Sequence, residues 1–178
     1  VSQIIKIENY NPKWESEFCK LQAVIETAME QLILSIEHVG STSVKGLGAK
    51  PILDIDVVIE DYNVLPNVIK GLEKIGYFHQ ENWSFEGREA FGRKDILVPW
   101  DGKSTIWMEH YLYVCNKDSK ELARHLAFRD YLRDHPEAII EYEQLKKDLA
   151  KNAKDRTNYS LGKTNFITKI LEKAMKSY

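Results

Sequence analysis

The segment HVGSTSVKGLGAKPILDIDVVI, residues 38–59, decides how this chain is read. A Gly-Ser pair, Gly40-Ser41, opens a turn-forming stretch, and Asp54 and Asp56 then stand inside the most strongly β-forming run of the sequence. Strand side chains alternate between faces, so Leu53, Ile55, Val57 and Ile59 share one face and the two aspartates the other. The apolar face is expected to pack on helices, leaving the carboxylates at the lip or concave side of a sheet. At a rise of roughly 3.3 Å per residue their Cβ atoms stand about 6–7 Å apart. Carboxylates so close repel when desolvated, and one is pushed to a higher pKa. A hard divalent cation removes that penalty. Magnesium commonly sits on one or two carboxylates together with substrate phosphate oxygens, and Asp54 and Asp56 are the candidate ligands for it, or for manganese. The competing reading is a solvated strand end with Lys50 as counter-ion.

Two upstream features favour the metal. Gly40 follows a short apolar strand, IEHV, and a glycine there lets backbone approach a ligand. Ser41, Thr42 and Ser43 then offer amides and hydroxyls to phosphate oxygens. Hairpin-like or short-crossover pairing of the two strands brings this turn to the aspartates. Val39-Gly40-Ser41 with Asp54-Ile55-Asp56 resembles the signature of the nucleotidyltransferase superfamily related to the polymerase β palm. That resemblance implies that the Gly-Ser turn holds a nucleoside triphosphate and that the carboxylates bind divalent metal.

The wider segment HVGSTSVKGLGAKPILDI resembles the GrpB family, a domain that also occurs fused to dephospho-coenzyme A kinase. Further matches lie in FRDYLRDHPEAIIEYEQLKKDLA, residues 128–150, and at Asp155, Tyr159, Lys163, Phe166 and Ile167. The resemblance spans nearly the whole chain. It implies an α+β fold with a nucleotidyltransferase-like mixed sheet and flanking helices. The chain departs from the family pattern at Lys45, where proline is common, and at Tyr111 and Tyr113, where histidines are usual.

A third carboxylate from a later strand is usual in transferases of this superfamily. Glu109 is the candidate, because the strand predicted over 105–115 carries it on the face of Tyr111 and Tyr113; a surface glutamate at a strand edge is the alternative. Lys50, beside Pro51, reads as a phosphate ligand or as an ion-pair partner of Asp54. Arg129 and Arg133 stand one turn apart, a spacing that presents two guanidinium groups to one anion. Asp130 and Asp134 interleave with them, which suits a solvated helix face, and Arg129 alone is kept as a nucleotide contact on the resemblance. Tyr159 and Lys163 share one side of the last helix and suit stacking and phosphate binding; core packing and solvent are the alternatives. His38 and His110 are read as hydrogen-bonded structural histidines.

The remaining pattern frames these residues. QIIKIE, 3–8, reads as a short strand or extended lead-in. A helix follows Pro12, with Asn11 as cap and Trp14, Phe18, Leu21, Ile25, Ala28 and Leu32 as its apolar stripe. A second spans 66–75 and stops at Gly76. Short strands and turns fill 77–100. From Ser119, a cap, the pattern is helical to a stop at His135-Pro136, then over 136–152, then from about 160 onward. The division is an α/β core over 1–117 and a helical portion over 118–178 packed on it as a single compact unit.

Lys and Arg number 25 against 27 Asp and Glu, a net charge of −2, which disfavours nucleic acid and anionic membrane as partners. No apolar run approaches a membrane span, and the first residues lack a signal-peptide layout. Cys19 and Cys115 are read as two buried thiols in a reducing compartment, so a cytoplasmic location is expected. The expected function is metal-dependent transfer of a nucleotidyl group from a nucleoside triphosphate to a small-molecule hydroxyl. A non-catalytic nucleotide- or coenzyme A-related binding module is the alternative, and phosphoester hydrolysis at the same metal a third.

Overall fold

The computed structural model describes residues 5–152 and 154–176. Helix α1 (Lys13–Met29) buries Trp14, Phe18, Leu21, Ile25 and Met29, one continuous stripe. Ala28 is only partly buried, and Leu32 falls in a 3-10 turn after the helix. The N-cap position falls on Pro12, one residue past the expected Asn11, whose Oδ1 still accepts the amide of Lys13 at 3.0 Å. In the lead-in, Glu8 makes an isolated bridge to Ala49 instead of a strand, and residues 3 and 4 lie outside the described residues.

Strands β1 (Ser35–Val39) and β2 (Leu53–Ile59) pair antiparallel, with Val39 opposite Asp54 and Glu37 opposite Asp56. Helix α2 (Leu65–Lys74) ends before Gly76, whose φ is 102°. Short strands β3 (Tyr77–His79) and β4 (Glu89–Arg93) follow, then β5 (His110–Asn116). The five strands run in the order β1-β2-β5-β4-β3, and only β2 and β5 are parallel.

The strand predicted over 105–115 begins five residues later than expected. Trp107 explains this: it is buried, its amide binds Ile96 O and its Nε1 donates to Pro99 O at 2.8 Å, so this stretch packs on the preceding loop.

Helix α3 (Lys120–Asp134) is capped by Ser119, whose Oγ accepts from Leu122 N at 3.1 Å. It stops before His135, and α4 (Pro136–Asn152) starts at the proline. Helix α5 (Arg156–Met175) begins earlier than the periodicity suggests because Asp155 caps it through Asn158 N at 2.8 Å.

The sheet is covered on both faces. Leu53, Ile55, Val57 and Ile59 join Leu112, Val114 and the α1 and α2 side chains in the main core. On the opposite face Val58 and Cys115 pack on Leu122 of α3. A second core of Val44, Leu47, Leu132, Tyr142, Phe166 and Ile170 binds the segment after the Gly-Ser turn to α3, α4 and α5. Asp54 is half-buried at a cavity, as the alternation suggests, but Asp56 does not lie at an open lip: it is 0% exposed and is met by His125 of α3. Cys115 is buried as expected, whereas Cys19 is exposed. Among the described residues no helix is long and apolar enough to cross a membrane.

Candidate functional site

Gly40 follows directly on β1 with φ 73°, a conformation that L side chains rarely adopt. A Cβ there would come within 2.3 Å of Asp54 Oδ2, so the turn lies directly against the first carboxylate. Ser43 closes the turn, its amide and Oγ both donating to Gly40 O at 3.1 and 2.5 Å. Thr42 Oγ1 meets His38 Nε2 at 2.9 Å.

A cavity of about 240 Å³ opens beside this turn. Of the residues singled out in the sequence, Ser41, Thr42, Lys50, Asp54, Tyr159 and Lys163 line it. Tyr159 is 1% exposed, and the Lys50 and Lys163 ammonium groups lie 4.9 and 4.5 Å from its ring centroid. Tyr159 is thus both a core residue and the base on which two lysines rest. Lys50 makes no salt bridge to Asp54 among the described residues; its pKa is lowered by burial and then by Arg156, against the opposing pull of Asp54. Burial pushes the Asp54 carboxyl up to about 6, helped by the Asp56 charge and opposed by His125, Lys163 and Lys50.

Four residues here had no site role in the sequence reading, although Tyr111 and Tyr113 were already placed on the face of the candidate third carboxylate. Lys146 of α4 lines the cavity although it is 2% exposed; its Nζ donates to Gly48 O at 2.5 Å and lies 4.8 Å from the Tyr142 ring centroid. Burial, with Lys163 and Lys50, lowers its pKa to about 7, while Glu143 and Asp54 oppose the shift. Burial and Lys50 bring Lys163 down to about 8 against the pull of Asp54. The signal for Lys146 was in the sequence: it continues the buried series Ala138, Tyr142 at four-residue steps, where a lysine has no business without a partner.

His125 is the second. Its Nδ1 lies 2.6 Å from Asp56 Oδ2 and its Nε2 3.1 Å from Glu121 Oε1. It falls on the α3 face of Leu122 and Arg129, a polar stripe that reaches the sheet. Tyr111 and Tyr113 of β5 are the others; they pair with Asp54 and Asp56 and line the cavity.

Gly40 and Asp56 adjoin Asp54 but do not line the cavity, and three further sequence candidates stand elsewhere. Glu109 precedes β5 and is exposed; its carbonyl accepts from Leu53 N at 3.0 Å, and it does not line the cavity. Arg129 ties α3 to β1 through Glu37 Oε2 at 2.8 Å and His38 O at 3.2 Å. Ser43 faces away from the cavity, its carbonyl held by Arg133. His38 and His110 are buried and hydrogen-bonded, as expected: His110 Nδ1 donates to Met108 O at 2.8 Å and its Nε2 accepts from Tyr77 OH at 2.7 Å.

The fit of a cation can be judged from the donors. Asp56 Oδ1 is buried without a hydrogen-bond partner among the described residues, a state that is costly unless something else meets the oxygen. Among the described residues no three His, Cys, Asp or Glu side chains are grouped to hold an ion by themselves. Asp54 at the polar cavity, with the unpartnered oxygen of Asp56 two residues on along the same strand, fits a hard cation that completes its shell with phosphate and water.

Fold and site together define a mixed-sheet α+β domain with a Gly-Ser turn set against paired strand carboxylates. The chain belongs to the GrpB family, whose model, described as GrpB protein, matches residues 4–173. It is 33% identical to the glutamate-rich protein GrpB of Alkalihalophilus pseudofirmus over 91% of each chain. The crystal structure of the conserved protein GrpB from Enterococcus faecalis matches at TM-score 0.79 and 32% identity, covering 97% of this chain and 99% of that one. Cid1 poly(U) polymerase with MgGTP bound matches at TM-score 0.49 and 9% identity, over 88% of this chain and 50% of that one, a likeness too slight to bear on function.

Proposed function

We propose that the chain binds the polyphosphate of a nucleoside triphosphate in the Asp54 cavity and transfers the nucleotidyl group to the hydroxyl of a small molecule. The observation that carries this reading is the convergence of Lys50, Lys146 and Lys163 on one polar cavity that Asp54 also lines. Ammonium groups gathered this closely disfavour one another's charge, and a polyphosphate anion reverses that penalty. Ser41 and Thr42 add hydroxyl donors. The cavity is smaller than the roughly 300–1,000 Å³ of typical small-molecule sites, which suits phosphates inside and the nucleoside beyond them, near exposed Tyr111.

Asp54 and Asp56 would hold magnesium or manganese, which when bound neutralises charge on the transferring phosphoryl group and acidifies the acceptor hydroxyl. The acceptor oxygen bonds to the α-phosphorus, the bond to the bridging oxygen breaks, and pyrophosphate leaves with its electron pair. The hydroxyl proton passes to solvent. Through these steps Lys50, Lys146 and Lys163 hold the phosphates, and His125 fixes Asp56.

One observation favours a second reading, a binding module that does no chemistry. On β5 the residues paired with Asp54 and Asp56 are tyrosines, not carboxylates. Thermal unfolding with each ribonucleoside triphosphate, with and without magnesium, separates the two. A ligand at a hundred times its Kd adds about 2.7 kcal/mol, a rise of roughly 5–11 °C for a chain of this size. A magnesium-dependent rise that Asp54→Asn abolishes supports the transferase. A rise indifferent to magnesium and kept by Asp54→Asn supports the module. No rise with any nucleotide overturns both.

A further inference from the structure

A second cavity, of about 490 Å³, opens against the same turn and is lined from α1, β1 and α3. That volume is within the range of small-molecule sites. Its apolar wall is the Phe18 ring stacked on His38, centroids 4.7 Å apart and planes at 17°. Burial, then Arg133 and Arg129, lower the His38 pKa to about 4, so this wall is neutral at physiological pH.

The charged groups around it are of both signs. Arg133 commits Nε and Nη2 to Ser43 O at 3.1 and 2.8 Å, leaving Nη1. Lys45 adds a second cation and Glu15 of α1 a single carboxylate. Among the described residues neither Lys45 nor Glu15 forms a salt bridge. Two cations, one carboxylate and a flat apolar wall complement a ligand that carries both charges and an apolar body.

We propose that this cavity binds a small zwitterion, an α-amino acid or a compound built like one. Its carboxylate meets Arg133 and Lys45, its ammonium meets Glu15, and its aromatic or branched apolar body lies on Phe18 and His38. Thr42 lines this cavity and the phosphate cavity alike, so the ligand sits across one side chain from the nucleotide. The acceptor of the proposed transfer belongs in that position, but the binding itself stands without that reading.

Cys19 makes the test direct. It lines the cavity and is exposed, whereas Cys115 is 0% exposed, so alkylation by N-ethylmaleimide reports on Cys19. The rate is measured without nucleotide, in the presence of each common α-amino acid at millimolar concentration. At least one aromatic or branched amino acid is expected to slow labelling several-fold and saturably. Its deaminated analogue (3-phenylpropanoate for phenylalanine) is expected to protect less. Glu15→Gln removes the advantage of the amino acid over that analogue, and Lys45→Ala weakens both, each judged as the ratio of rates with and without ligand. Labelling rates unchanged by every amino acid overturn the proposal, as does equal protection by the deaminated acid in the unsubstituted protein. Because nucleotide is absent, failure of the transferase reading leaves this result untouched.

Discussion

His125 Nδ1 lies 2.6 Å from Oδ2 of the wholly buried Asp56, and this contact joins the C-terminal helices to the carboxylate strand. Burial opposes a charge on the ring, but the bond to Asp56 and its charge, with Glu121 and Asp54, raise the pKa above its usual value. A histidine raised on folding contributes stability that is fully present below its unfolded pKa, near 6.5, and is lost as pH rises through the folded value. His125→Ala is expected to cost about 3 kcal/mol, the lower end for breaking a buried pair, and to cost more at pH 6 than at pH 9. Urea unfolding at the two pH values checks this; a small, pH-independent cost contradicts it.

Asp54 should behave in the opposite sense to a stabilising carboxylate. Its pKa is raised from 3.8 to about 6, so between those values the folded state holds more protons and stability falls as pH rises. With chelator present, Asp54→Asn is expected to be more stable than the parent at pH 7.5, by at most about 3 kcal/mol, and to lose that advantage near pH 4. Melting curves at the two pH values decide. A variant less stable at both would mean that the carboxylate is satisfied in the metal-free fold.

Phosphate binding should take up protons. Lys146 and Lys163 titrate at about 7 and about 8, and an anion among them restores their charged forms. At pH 8 Asp54 is already ionised and releases nothing. Calorimetry of nucleotide binding in buffers of different ionisation enthalpy is expected to report net proton uptake at pH 8, with affinity falling as pH rises further. Proton release would contradict the lysine cluster.

Arg129→Ala separates a structural tie from a ligand contact. The guanidinium is committed to Glu37 and His38 O, so its loss is expected to cost about 1.5–3 kcal/mol and to leave nucleotide affinity within a few-fold of the parent. Lost affinity with unchanged stability would show that Arg129 reaches the nucleotide.

Much of the fold was legible because local rules and tertiary packing agree. The α1 stripe from Trp14 to Ile25, the Ser119 cap, the His135-Pro136 stop and the alternation of β2 all stand where the sequence pattern puts them. The start of β5 failed because Trp107, a good strand former, found its partners in the loop at 96–99. At the site, the turn and Asp54 were readable since adjacent strands carry them. His125 was not, and Lys146 showed only as a lysine in a buried helical series with no partner in view, because their contacts span 69 and 98 residues of sequence and only the packing of α3 and α4 on the sheet brings them in. The same packing sealed Asp56, which alternation alone left at an open edge.

The most direct test of the central claim is calorimetric titration of each magnesium nucleoside triphosphate into the parent protein and Lys163→Ala. At least one nucleotide is expected to bind the parent, and the variant to bind it about 10- to 100-fold more weakly, the value of one charge-assisted contact. Equal binding to both proteins, or none to the parent at millimolar nucleotide, would contradict a polyphosphate site built on Lys50, Lys146 and Lys163.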